Sequence, residues 1–265
     1  MRKELLYNPG LAIERIAEFF VTRRRFARLR GTIARDLNED HFDSLELLDL
    51  VAQYRPSVIY DVGAHVGTWT RLAAVLFPGA TIIAFEPIRS HCETFRTATE
   101  GIPNVALHQV ALGAENRSAA MHIVNKSDAS SFLPMTEASR TTWGHLETGM
   151  EQAKIVRLDD YVSEGRLPLP DLIKLDVQGY ELEVLKGGEI CLKHASAVLA
   201  EVSFQEYYVA QPLFADVTSF LNLHGFHPIA FAYRTPRGMP IGQTDALFVR
   251  RAVPGQPSQP PPAEA

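Results

Sequence analysis

The run Val58-Ile59-Tyr60-Asp61-Val62-Gly63-Ala64-His65-Val66-Gly67 constrains the fold of this chain more than any other. A short apolar stretch ends in an acid and turns on two glycines. It then passes into Trp69-Thr70-Arg71-Leu72-Ala73-Ala74-Val75-Leu76, in which Trp69, Leu72, Ala73 and Leu76 recur at helical spacing. Strand, tight turn and helix are therefore expected in that order, the opening unit of an α/β fold with a ligand-binding turn. Gly63 and Gly67 carry no Cβ, so the backbone of the turn, including Ala64 and His65, can approach a ligand closely at the helix start.

Spacing and charge narrow the ligand. A dinucleotide site uses G-x-G-x-x-G, whereas the glycines here stand as Gly-x-x-x-Gly, and no Lys-Ser or Lys-Thr pair follows as it would in a P-loop. The acid Asp61 repels a phosphate but favours the amino group of an amino-acid moiety beside a sulfonium, which is the charge pattern of S-adenosylmethionine. A second apolar run, Thr81-Ile82-Ile83-Ala84-Phe85, ends in Glu86-Pro87, about twenty residues past the turn, where doubly wound folds place a ribose-binding acid. Taken together with the glycines, Asp61 and Glu86 favour a cofactor site over two unrelated polar strand ends.

The rest of the chain fits one α/β domain with appendages. Its 265 residues are 46% hydrophobic and 22% charged, enough for one sizeable core. A formal net charge of -5 argues against a nucleic-acid partner, which asks for a basic field. Cys92 and Cys191 have neither disulfide nor zinc spacing, and no metal is expected. The start shows no long apolar run with a cleavage site and no transmembrane segment, so the expectation is a soluble, cytoplasmic protein.

Residues 1–55 read as a helical extension in which Ile13, Ile16, Ala17 and Phe20 share a face. It carries an arginine cluster that includes Arg23, Arg24 and Arg25. A solvated helix face is the favoured reading, with peripheral contact to an anionic lipid membrane surface or contact to an acidic substrate as the other. Residues 56–251 alternate strands and helices, and residues 252–265 form a Pro-rich tail that cannot pack, read as disordered. Further strands are expected over Val105 to Val110, Ala119 to Val124 and Ala197 to Val202, with an antiparallel hairpin from Phe226 to Tyr233 and Ala246 to Arg250.

The second informative stretch is Asp171-Leu172-Ile173-Lys174-Leu175-Asp176, an apolar run ending in an acid, as a central parallel strand does. Asp61, Glu86, Asp176 and Glu201 all stand at strand ends, which gives the ligand face an acidic rim suited to a cationic cofactor. Orienting the cofactor ranks above metal binding for Asp176. The segment Asn125 to Lys154, with Ser127, Ser130, Ser131, Trp143 and His145, shows little periodicity and is open to two readings, a flap over the acceptor or a surface excursion.

Asp61-Val-Gly-Ala-His-Val-Gly67, Phe85-Glu86-Pro87, Arg157-Leu-Asp-Asp160 and Ile173-Lys-Leu-Asp-Val-Gln-Gly-Tyr-Glu181, in this order, resemble the FkbM-type methyltransferases, a class I group dependent on S-adenosylmethionine. The resemblance runs from about Pro56 to Arg250. It implies a Rossmann-like, mostly parallel seven-stranded sheet with helices on both faces and an antiparallel last strand. It further implies O-methylation of a hydroxyl on a sugar, glycan or other small-molecule acceptor. By the same resemblance Asp61, Gly63 and Gly67 hold the methionine end, Glu86 the ribose, and the backbone near Val110 and Ala111 the adenine edge. Relatives often carry Glu where this chain has Gln178, an exchange that removes a charge beside Asp176 but keeps hydrogen-bonding capacity. A sulfonium is already activated, so alignment is the main task and a base matters only for a poorly acidic alcohol. Asp176, His145 and, behind them, His65 are the candidates. The alternatives are a Rossmann-like oxidoreductase and a non-catalytic cofactor-binding or scaffold protein.

Overall fold

The computed structural model describes residues 24, 26–35, 37, 42–125, 127–232 and 241–251. The helix face expected around Ile13 to Phe20, Arg23 and Arg25 of the arginine cluster, Tyr233, and the Pro-rich tail lie outside them.

The first unit forms as its pattern demands. Strand β1 (Val58–Val62) is buried along almost its whole length and hands over through the glycine turn to α2 (Thr68–Leu76), which buries Trp69, Leu72 and Ala73. Before it, α1 (Phe42–Val51) sinks Leu45, Leu48 and Val51 into the core under the same sheet face as α2. The chain continues through β2 (Thr81–Phe85), α3 (Arg89–Ala98) and β3 (Val105–His108). An inserted region follows, with β4 (Ala111–Gly113), β5 (Arg117–Val124), a 3-10 turn at Ser127–Ala129, α4 (Glu137–Trp143) and β6 (Glu147–Arg157). After it come α5 (Leu158–Gly165), β7 (Leu172–Leu175), α6 (Glu181–Gly187), α7 (Glu189–His194), β8 (Ala197–Ser203), α8 (Phe214–Leu223), β9 (Phe226–Phe231) and β10 (Gln243–Arg250).

Seven strands make the main sheet in the order β3-β2-β1-β7-β8-β10-β9. The first five run parallel, and β10 lies antiparallel to both β8 and β9. The order reverses between β1 and β7. In an open doubly wound sheet that reversal splays the loops at the carboxyl ends of the two strands and leaves a crevice for a ligand. One apolar cluster packs on each face: Phe85, Leu158, Val184, Leu192 and Phe248 on one, and Leu45, Trp69, Leu72, Leu172 and Leu247 on the other.

Residues 125–154 carry more regular structure than their lack of period suggests, and Asp128, Ser130 and Phe132 among them line the cavity. They include a 3-10 turn, α4 and most of β6, which pairs antiparallel with β5 and parallel with β4 in a separate three-stranded sheet. Seven of the first eight residues of β6 are solvent-exposed, and the eighth, Ala153, is half-buried. The strand is held by backbone pairing, so no apolar period marks it. β3 stops at His108, two residues short of the expected Val110, and β5 begins at Arg117 rather than Ala119.

The Arg157-Leu-Asp-Asp motif is a structural staple. Asp159, 4% exposed, accepts backbone N–H bonds from Ile190 (3.0 Å) and Cys191 (3.2 Å) at the start of α7 and pairs with Arg157 at 3.3 Å. A carboxylate at a helix start meets both the orphan donors and the positive end of the dipole.

Candidate active site

A cavity of about 370 Å³ opens at the carboxyl ends of β1, β2 and β7, roofed in part by the inserted region. Its lining includes Gly63, Ala64, His65, Glu86, Pro87, Val110, Ala111 and Asp176. The loops after three parallel strands and the segment after β3 thus meet around one space.

The turn after β1 is held by its own backbone: Gly63 and Ala64 donate to the Phe85 carbonyl at 3.0 and 3.1 Å, and Gly67 donates to Ala64 at 2.9 Å. Gly63 has φ +78°, and a Cβ placed on it would stand 1.8 Å from the Asp176 carbonyl oxygen. This glycine therefore lets the ends of β1 and β7 touch. Gly67, at φ +83°, starts α2, and a Cβ there would meet the Phe95 ring at 2.9 Å. Gly67 lies outside the lining and serves the packing of α2 on α3.

Glu86 sits one residue past β2 and is 4% exposed. Its carboxylate accepts backbone N–H bonds from His65 and Ile88, both at 2.9 Å, and lies 3.3 Å from His91 Nδ1. A carboxylate accepts about four hydrogen bonds, so capacity remains toward the cavity. The His65 ring packs edge-on against His91 at 4.4 Å, and burial, then the His91 charge, keeps its pKa below the ordinary value. His65 is therefore neutral at pH 7.

Asp61 stands apart from the cavity wall. It is fully buried in β1, accepts a 2.5 Å hydrogen bond from Thr70 Oγ1, and lies 3.4 Å from Lys174 Nζ. Burial raises its pKa despite Lys174. Lys174 lines the cavity and bridges Asp61 to Asp176, 3.2 Å away on its other side, while donating to the Gly63 carbonyl at 3.3 Å. Burial alone would lower its pKa, but Asp176 and Asp61 outweigh it and hold the ammonium charged.

Asp176 is the accessible member, its side chain 35% exposed. Gln178 Nε2 donates at 2.8 Å both to Asp176 Oδ1 and to Glu201 Oε2, and Tyr208 donates its hydroxyl to Gln178 Oε1 at 2.8 Å. Gln178 has φ +55°, a left-handed conformation that a non-glycine residue adopts at some cost. Ser131 of the inserted region caps its carbonyl at 2.6 Å. Burial, then the nearby Asp176 and Asp245 carboxylates, raises the Glu201 pKa well above its ordinary value.

His145 does not reach the cavity. It lies just past α4, with Nδ1 3.0 Å from Ser139 Oγ. Residues that sequence reasoning did not single out complete the wall, among them Trp69, His91, Asp128, Phe132 and Asp245. Nothing local marks them, since they come from α2, α3, the inserted region and β10. Among the described residues no group of three or more His, Cys, Asp and Glu side chains is arranged to hold a metal ion, and no helix is long and apolar enough to cross a membrane.

The strand order, the antiparallel last strand and a ligand cavity at the switch point define a Rossmann-like domain of the class I methyltransferase type. The model of the methyltransferase FkbM domain matches residues 61–228, and the chain belongs to that family. It is 31% identical over 168 residues to the hexuronic acid methyltransferase AglP of Haloferax volcanii, covering 63% of this chain and 64% of that protein. It is 30% identical over 161 residues to the 2-O-methyltransferase NoeI of Sinorhizobium fredii, covering 58% of this chain and 66% of the relative. Over 208 residues it is 26% identical to the 31-O-demethyl-FK506 methyltransferase FkbM of Streptomyces tacrolimicus, covering 67% and 76% of the two chains. The matched region spans just under two thirds of the first two relatives.

Proposed function

We propose that this protein transfers a methyl group from S-adenosylmethionine to a hydroxyl oxygen of a sugar, glycan or other small hydroxylated metabolite. The observation that carries this reading is convergence: Glu86, the backbone of the glycine turn and Asp176 belong to three separate strand ends and line one cavity. The family, with one relative named for a hexuronic acid and another for 2-O-methyl transfer, supports the reaction class.

The donor set fits the cofactor. Glu86 offers acceptor capacity for a ribose diol. Phe85, Ile88, Val110 and Leu112 offer apolar wall for an aromatic base, and Asp176 offers a carboxylate for a cation. S-adenosylmethionine, when bound, would supply an activated methyl group to the acceptor oxygen and leave its sulfur as a neutral thioether, while the hydroxyl gives up its proton. The residues of this chain align and desolvate that step. Asp176, held at both oxygens by Gln178 Nε2 and Lys174 Nζ, is the cavity group placed to receive the hydroxyl proton. His65 provides backbone to Glu86 and closes the turn, and His145 has no part in the step.

Calorimetric titration with S-adenosylmethionine and S-adenosylhomocysteine tests the reading. Wild type should bind both, and Glu86→Ala should lose roughly ten- to hundredfold in affinity, the worth of hydrogen bonds to a charged acceptor. Folded wild type that binds neither nucleoside overturns the assignment.

A further inference from the structure

The chemistry of the lining also bears on what the acceptor is. Four carboxylates, those of Glu86, Asp128, Asp176 and Asp245, line the cavity against one ammonium, that of Lys174, and no arginine joins them among the described residues. That ammonium is fully engaged. It is ion-paired with Asp61 at 3.4 Å and with Asp176 at 3.2 Å and donates to the Gly63 carbonyl at 3.3 Å, so an incoming anion competes with two carboxylates already beside it. The first turn of α2 lacks a side-chain cap and contributes roughly half a positive charge, enough to offset one carboxylate at most.

Another part of the wall is apolar. Phe132 and Tyr180 stack at a tilt with ring centroids 5.3 Å apart beside Met121, an apolar platform for the C–H face of a saturated ring. Asp128 is exposed on the 3-10 turn and Ser130 follows it, so hydroxyl-reading groups flank the platform. Trp69, nine-tenths buried in the same lining, has an indole N–H with no partner, a donor that carries no charge.

Resting on the methyltransferase reading above, we infer that the acceptor is an electrically neutral sugar ring, and that the site rejects a ring bearing a carboxylate or a phosphate. The physical reason is subtraction. Even with a cofactor of net single positive charge in place, the described lining keeps an excess of negative charge. An acidic acceptor meets repulsion in a partly desolvated space and finds no free cation to pair with among the described residues. Hydroxyl groups, by contrast, donate to a carboxylate that the cofactor leaves open, Asp128.

Three methyl glycosides separate charge from shape: the glucoside, the glucuronide and the neutral glucuronamide. Binding of each to the protein loaded with S-adenosylhomocysteine is read by ligand-observed NMR, and transfer of labelled methyl is read in parallel. The two neutral glycosides should bind at least about tenfold tighter than the glucuronide and alone receive label. Asp128→Asn should narrow the gap severalfold. Equal or tighter binding of the glucuronide overturns the inference, as does a complex that holds S-adenosylhomocysteine but binds neither neutral glycoside. Failure to bind S-adenosylhomocysteine instead overturns the methyltransferase reading beneath it.

Discussion

Replacing Lys174 with methionine isolates the charge on which the cavity floor depends. Methionine keeps most of the aliphatic volume, so the change removes the ammonium more than the packing. It leaves Asp61 with no solvent exposure and a single hydrogen bond, from Thr70, because its Oδ1 faces only Lys174. Stranding one member of a buried pair costs roughly 3 to 5 kcal/mol, and Lys174→Met should lose about that much at pH 8. The loss should shrink at pH 5. Burial already raises the Asp61 pKa, and without the lysine it rises further, so the folded state takes up a proton and the stranded charge disappears as pH falls. Urea unfolding of wild type, Lys174→Met, Asp61→Asn and the double variant measures each term. The double variant should recover most of the loss, because a neutral amide needs no counter-charge. A single variant within about 1 kcal/mol of wild type at pH 8, or a double variant no better than the single, refutes the reasoning.

Glu181, 3% exposed, has its pKa raised from 4.5 to about 7, burial outweighing its hydrogen bonds from Val177 and Gly179. The folded protein therefore keeps a proton that the unfolded chain releases, and stability falls by roughly 3 kcal/mol as pH rises from 4.5 to 7. Glu181→Gln should flatten that part of the profile in urea unfolding, and an unchanged slope would count against it. Gly63→Ala combines a left-handed φ with a Cβ 1.8 Å from the Asp176 carbonyl. It should cost about 3 kcal/mol or more, read as a Tm lower by roughly 6 to 12 °C. A Tm within 2 °C of wild type would mean that the ends of β1 and β7 part easily.

The sequence carried the main sheet because its strands are nearly continuous apolar runs punctuated by acids and glycines, the signature of buried parallel strands. β1, β2, β7 and β8 all lie within the expected runs or a residue or two of them. β6 was hidden for the opposite reason. Most of its first eight residues face water, and it is a strand because β5 lies beside it. The same limit hid Tyr208, which reaches Gln178 from 30 residues away.

Asp61 and Glu86 show most clearly where sequence ends and tertiary structure begins. Both close an apolar run beside the same glycine turn, and the chain alone marks both as cofactor ligands. In β1 the period of two turns Asp61 toward α2, opposite Lys174 in the β1 and β7 register, where it is sealed from solvent. Glu86 lies one residue beyond β2, free of the sheet, with its carboxylate gathered by the turn after β1 and aimed at the cavity. The order of residues by itself determined the doubly wound core, the glycine turn and the acids at the strand ends, because hydrophobic period and turn chemistry are local. Which acid lines the cavity and which pairs with a buried lysine was decided only when strands 113 residues apart came into register, because electrostatic partners are set by distance in space.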